Sequence, residues 1–172
     1  MKKIATFALL LTGLTISSQT QAQGDKPASP PASVKETTKS GVTISINYSQ
    51  PSVKGRTIGK DLEPLPDKVW RTGANEATTF EIDKPVKING KDLPAGKYGF
   101  FTLSGKDNWT IIFNKTWKQW GAFNYKDADD ILRVQVPVKK ADPFAEKMTF
   151  TIDKTGVVTL LWGDNKISFT VQ

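Results

Sequence analysis

The stretch VTISINY, residues 42–48, alternates apolar and polar side chains without a break. In an extended chain, side chains two positions apart point the same way, so one face carries only apolar residues. That face consists of Val42, Ile44, Ile46 and Tyr48. A period of two with one apolar face is typical of a half-buried β-strand, and the sequence predicts a strand here.

The same alternation returns further along the chain, at 132–138, 148–152 and 167–171. Short turn signals separate the apolar runs, and each offers a residue that tolerates positive φ: Asn89-Gly90, Pro94-Ala95-Gly96, Ser104-Gly105-Lys106-Asp107, Lys154-Thr155-Gly156 and Gly163-Asp164-Asn165. The pattern predicts an all-β fold, an antiparallel β-sandwich of about nine short strands. Its C-terminal third should be a β-meander with strands near 147–153, 157–162 and 166–171. The best short helical candidate is 127–130.

The N-terminal part of the chain differs in composition. Residues 1–22 place two lysines before an apolar run and end on small and polar residues, a pattern typical of a secretory signal peptide cut after Ala22. Residues 23–39 are rich in Pro, Ser, Ala and Thr, which favours a flexible linker. We therefore expect a single domain over 40–172, located in the periplasm or secreted.

The composition excludes several classes of function. With no cysteine and no histidine, the chain lacks disulfides, thiolate metal sites and the usual base of a Ser-His-Asp site. Removing 1–22 takes away two lysines and no acids, so the formal charge falls from +7 to +5. The basic residues are scattered, which argues against nucleic acid as a partner. We expect no cofactor, no metal site and no membrane span in the mature chain.

The segment VWRTGANEATTF, residues 69–80, combines a large aromatic, an arginine, a turn and a carboxylate. Arg71 could bind a carboxylate or phosphate, and Glu76 could act as an acid, base or cation ligand. The structural alternative makes Trp70 a core residue, Asn75 part of a turn, and Arg71 the ion-pair partner of Glu76. Both interpretations stay open.

A second segment, WTIIFNKTWKQWGAFNY, covers residues 109–125. Its second half has no clean period and holds Trp117, Trp120 and Tyr125, with Asn114 at the end of the apolar run. Exposed aromatic rings on a β-sandwich loop can stack on sugar rings, with amides to orient them. Alternatively, these rings form a hydrophobic lid over one end of the sandwich.

These two segments give three functional hypotheses. The leading one is a module that binds a glycan or a small anionic ligand, with Trp70, Arg71, Asn75 and Glu76 on one wall of a cleft and the aromatics of 117–125 on the other. The second is a carboxylate-dependent glycan hydrolase, with Glu76 as its candidate catalytic residue. The third is a structural domain that binds another cell-envelope protein. The sequence favours binding over catalysis.

Several collinear motifs resemble one family of secreted bacterial proteins. They are NYSQPSVKGR (47–56), VWRTGANEAT (69–78), INGKDLPAGKYGFFTL (88–103), WTIIFN (109–114) and WGAFNY (120–125). Together they are similar to the domain of unknown function 2911 family over about residues 42–152. The resemblance implies an exported β-rich domain and brings no reaction or ligand. The chain departs from the family pattern in two places: Gln50 stands where an arginine is expected before the proline, and Pro-Leu-Pro-Asp at 64–67 replaces a Pro-Tyr-Gly-like turn before VWR.

Overall fold

A computed structural model describes residues 28–172. This part of the chain is built from strands and one short 3₁₀ helix, Asp127–Asp129. The strands are β1 (Pro31–Thr37), β2 (Thr43–Ser49), β3 (Val69–Trp70), β4 (Thr79–Ile82), β5 (Val86–Ile88), β6 (Lys91–Leu93), β7 (Gly96–Leu103), β8 (Asn108–Asn114), β9 (Asp130–Ile152) and β10 (Val157–Thr170). The predicted signal peptide lies outside the described residues.

Eight of the strands form one antiparallel sheet in the order β1-β2-β4-β7-β8-β9-β10, with β3 paired to β7. The strands β5 and β6 form a separate small hairpin around Asn89-Gly90. Phe150 of β9 and Phe169 of β10 nevertheless pack against rings of β4, β7 and β8. The large sheet therefore curls, and the β9–β10 hairpin covers its inner face. The predicted all-β, antiparallel fold is confirmed.

The apolar alternation places the core where the sequence predicts it. Val42, Ile44, Ile46 and Tyr48 are all buried, as are Met148, Phe150 and Ile152. The centre of the core is a cluster of aromatic rings whose centroids lie 5.0–6.3 Å apart, at the distances that favour edge-to-face and offset stacking: Tyr48, Phe80, Tyr98, Phe100, Phe113, Phe150 and Phe169.

The domain boundary predicted at residue 40 needs correction. Residues 31–37, assigned from composition to the flexible linker, form β1 and pair along their whole length with β2. Val34 pairs with Ile46 in this register and packs against the core. The ladder of backbone hydrogen bonds thus orders a segment that has only two apolar side chains facing inward, Ala32 and Val34.

The C-terminal strands also differ from the prediction. The strands expected at 157–162 and 166–171 are one strand, β10, and Gly163-Asp164-Asn165 is a bulge within it rather than a turn. Gly163 has a φ of +60°, which is compatible with a turn or with a bulge. The strands β7 to β10 are consecutive neighbours in the sheet and form a meander, which ends in the two-stranded β9–β10 hairpin instead of the three separate strands predicted for the C-terminal third. Among residues 28–172, no helix is long and apolar enough to cross a membrane.

Candidate functional site

The outer face of β7 has a gap at Gly99, where a loop crosses directly over the strand. A Cβ at this position would lie 3.2 Å from the Thr116 carbonyl oxygen and 3.3 Å from the Trp117 Cα. It would also lie 2.7 Å from the ring of Phe101. A glycine inside a strand permits this close approach of another backbone segment. We call residues 115–126 the aromatic loop.

Asn114 fastens both ends of the aromatic loop. Its side chain is fully buried, and its amide nitrogen donates to the Lys126 carbonyl at 3.0 Å and to a carboxylate oxygen of Asp130 at 2.8 Å. Its amide oxygen accepts from the backbone N–H of Thr116 at 2.8 Å. Because the buried amide is satisfied on both sides, it orders the loop rather than presenting a ligand-binding group.

A second set of polar contacts braces the same loop at its C-terminal end. The Tyr125 hydroxyl donates to Asp130 at 2.6 Å and accepts from Arg133 at 2.8 Å. Burial, with the hydrogen bond to Asp130, raises the pKa of Tyr125 above its usual value, so the phenol stays protonated. Asp129 accepts from the Thr116 hydroxyl at 2.8 Å and pairs with Lys115 at 3.1 Å, and these bonds lower the pKa of Asp129.

The aromatic loop and the segment 69–78 lie side by side. The backbone N–H of Ala77 donates to the Gln119 carbonyl at 3.0 Å, and that of Gly121 donates to the Asn75 carbonyl at 3.0 Å. Glu76 and Trp120 are directly paired in an antiparallel bridge. The two candidate segments of the sequence therefore meet, as a shared cleft requires.

The guanidinium of Arg71 lies beside the aromatic loop, near Gly121. Its Nη1 lies 3.6 Å from where a Cβ on Gly121 would be, and its Nε is buried with no hydrogen-bond partner in the described chain. Burial lowers the pKa of Arg71, while the charge of Glu63 acts in the opposite direction. The Arg71–Glu76 ion pair of the structural alternative is absent from the salt bridges of residues 28–172.

Trp70 is a core residue, as the structural alternative holds, and does not line a cleft. Only 2% of it is exposed, and its indole N–H donates to the Gly73 carbonyl at 3.0 Å. Its ring packs edge-on against Trp109 with the centroids 6.3 Å apart.

A groove of about 430 Å³ lies on the outer face of the sheet, between β1 and the aromatic loop. We call it the outer groove; its lining includes Ser33, Asn47, Glu76, Thr79, Lys97 and Trp117. Asn47 and Thr79 are paired across β2 and β4, and their outward side is the floor, while Gly99, their neighbour on β7, lies beneath the aromatic loop. The Thr79 hydroxyl is buried there without a partner in the described residues.

Trp117 forms one wall of the outer groove and is 38% exposed. The ammonium of Lys97 lies 4.3 Å from the centroid of its ring, a cation–π contact. Lys97 also faces Glu81 at 3.8 Å. Glu76 is exposed, and Trp120, 59% exposed, lies beside it through the backbone bridge.

Sequence reasoning thus found part of this arrangement. Of the predicted site residues, Glu76 and Trp117 line the outer groove, and Trp120 is paired with Glu76 through the backbone. Asn114 and Tyr125 hold the aromatic loop in place, while the Asn75 side chain donates to the Ser29 carbonyl at 3.2 Å. Asn47, Thr79 and Lys97 were missed, although the polar phase of the alternating strands marks them as outward-facing.

The described residues contain no group of three or more Asp or Glu side chains that could hold a metal ion. Gln50, at the position where an arginine was expected, has a structural role, because its amide donates to the Met148 carbonyl of β9 at 2.9 Å. Tyr48 acts alongside, its hydroxyl accepting from the backbone N–H of Phe150 at 3.3 Å. These two side chains satisfy backbone groups of β9 and lie outside the chemistry of the groove.

The fold and the site together define a class: an antiparallel β-protein with a polar, aromatic-walled groove on the outer face of its sheet. The chain matches the model of a protein family of unknown function, DUF2911, over residues 29–171. It belongs to that family, which confirms the resemblance carried by the motifs. The curated proteins and the solved structures contain no match to it.

Proposed function

We propose that the protein is an exported glycan-binding module whose ligand lies in the outer groove. The observation that carries this proposal is the exposed Trp117, which forms a wall beside polar side chains at the groove. A sugar ring has an apolar C–H face that stacks on an indole and a rim of hydroxyls that need donors and acceptors. The groove offers both kinds of surface.

The distribution of tryptophans supports this assignment. Trp70, Trp109 and Trp162 are each at most 2% exposed, as expected for core residues. The other two tryptophans, Trp117 and Trp120, are 38% and 59% exposed and both lie on the aromatic loop. Large aromatic rings that are displayed together on one loop, rather than scattered singly, mark a recognition surface.

The charges favour a neutral glycan over a small anion. Lys97 is the cation of the groove, and it already faces Glu81 at 3.8 Å. Glu76 adds a negative charge to the same lining. The remaining polar groups, such as the Asn47 amide and the Ser33 hydroxyl, are exposed neutral donors and acceptors suited to sugar hydroxyls.

The export part of the proposal rests on the basic, apolar and small-residue pattern of residues 1–22. It places the mature chain in the periplasm or outside the cell, where envelope or extracellular glycans are available. A chain recovered from a bacterial host should begin at Gln23, and recovery of the uncut chain from the cytoplasm would contradict export.

The binding experiment is a calorimetric titration of the protein with cello-oligosaccharides and chito-oligosaccharides. Trp117→Ala should weaken binding roughly tenfold, because it removes the stacking wall. Phe144→Ala is the matched control, since Phe144 is 49% exposed but lines a different hollow, near Ile58 and Asp164. If the protein binds neither sugar series, or if both variants bind equally well, the proposal is wrong.

A further inference from the structure

The far side of the aromatic loop carries a second hollow of about 430 Å³. Its lining is Thr116, Phe123, Asn124, Tyr125, Lys126 and Asp129. Thr116 lines this hollow, and its neighbour in the chain, Trp117, lines the outer groove. One loop therefore separates two concave surfaces that share the same kind of lining: an aromatic ring, an amide and charged side chains.

Phe123 is the most exposed large apolar side chain of the described chain, at 83%. Its ring lies over Gly121, within 2.9 Å of where a Cβ would be. Gly121 has a φ of +63°, so a side chain there would be strained as well as crowded. The absence of a side chain at Gly121 thus leaves room for one edge of the phenyl ring, and most of the ring is open to solvent.

The polar groups around Phe123 divide into two kinds. Tyr125 and Asp129 are occupied, the first with Asp130 and Arg133, the second with Thr116 and Lys115. Asn124 and Lys126 are exposed, and in the described residues neither side chain has a hydrogen-bond or ion-pair partner. The hollow therefore has a rigid base and two polar side chains that are available to a ligand.

We infer that this second hollow is a further sugar subsite, and that the ligand is a polysaccharide chain that crosses the aromatic loop. The inference rests on the proposed function of the outer groove. Trp117, Trp120 and Phe123 recur at every third position of the loop, and each exposes part of its ring. Three open rings on one loop suit a polymer with repeated flat faces better than a single sugar, which the outer groove alone would hold.

The test measures affinity against chain length, with the full chain and chito- and cello-oligosaccharides from monomer to hexamer. The wild-type protein should bind the hexamer more tightly than the dimer. Phe123→Ala should weaken hexamer binding roughly tenfold and leave dimer binding unchanged. Asn124→Ala should act in the same direction to a smaller extent, and Phe144→Ala should change neither.

The outcomes separate the two proposals. The second subsite is overturned, and the outer groove is kept, by the following combination of results. Trp117→Ala abolishes dimer binding, the affinity of the wild-type protein does not rise with oligosaccharide length, and Phe123→Ala does not change that affinity. Failure of the wild-type protein to bind any member of either series overturns both. Circular dichroism should show that Phe123→Ala is folded, because its side chain is almost wholly in solvent.

Discussion

The two faces of β7 use aromatic side chains in different ways. On the inner face, Phe100 is 1% exposed and its ring contacts four other phenylalanines, from β4, β8, β9 and β10. Over the outer face, the aromatic loop is held close to Gly99 and leaves Trp117, Trp120 and Phe123 partly in water. Residues of the same chemical type thus stabilise the fold on one side and are displayed on the other.

The structures on the two faces of β7 are also stabilised by different interactions. The inner face is stabilised by burial of apolar area and by ring–ring contacts, which need no particular partner atom. The aromatic loop depends on directed hydrogen bonds: Asn114 and Tyr125 donate, and Asp129 accepts from the Thr116 hydroxyl. Beneath it, Ala77, Phe101 and Ile112 form a small buried cluster, against which Ala122 and Tyr125 of the loop pack. We therefore expect stability to depend mainly on the inner face and ligand recognition on the outer one.

The largest expected effect is the loss of a ring from the inner face. Phe100→Ala should lower the free energy of unfolding by about 3–5 kcal/mol, because it leaves a cavity among four rings. Phe123→Ala, at an 83% exposed position, should change it by less than about 0.5 kcal/mol. Urea unfolding followed by circular dichroism measures both. If the two variants lost similar amounts of unfolding free energy, the proposed difference between the two faces would be wrong.

An intermediate effect is expected where the aromatic loop is fastened to β8. Asn114→Ala removes three hydrogen bonds from a fully buried site and should lower the free energy of unfolding by about 1–3 kcal/mol. Because the loop then loses its anchor, the fluorescence of Trp117 and Trp120 should also change. Asn108→Ala, at the exposed first residue of the same strand, is the control and should leave both unchanged. An Asn114→Ala protein with wild-type fluorescence would show that the loop holds its place without this anchor.

The inner face could be predicted from the sequence in detail, since a period of two places Ile44, Phe150 and Phe169 on it directly. β1 was missed because its ordering comes from pairing with β2, and neither composition nor its few apolar residues reveals a partner strand. The bulge at Gly163 was interpreted as a turn because both need positive φ.

The outer face could be predicted only in part. The motifs identified Trp117, Trp120 and Glu76, but the groove depends on strand register, which brings Asn47, Thr79 and Gly99 into one row. Gly99 inside an apolar run was the available signal for a close backbone approach. Lys97 lies two positions before Gly99, so it is on the same outer face of the strand. The roles of Asn114 and Tyr125 could not be separated from ligand binding, because an amide or a phenol looks the same in sequence whether it faces a loop or a ligand.

The smallest expected effect is an acid-induced loosening of the aromatic loop through Asp129. The hydrogen bond from Thr116 and the pairing with Lys115 lower the pKa of this carboxyl below its ordinary 3.8. A carboxyl whose pKa is depressed in the folded state stabilises that state above its unfolded pKa, and the contribution is lost as the pH falls through the folded value.

Below pH 3.8, tryptophan fluorescence should therefore shift in the wild-type protein as the bonds of Asp129 to Thr116 and Lys115 are lost. Asp129→Asn should remove that part of the shift, while Asp127→Asn, on the same 3₁₀ helix and exposed, should keep it. An identical acid response in all three proteins would mean that Asp129 does not hold the loop, and that the hydrogen bonds of Asn114 and Tyr125 suffice to keep the outer face in place.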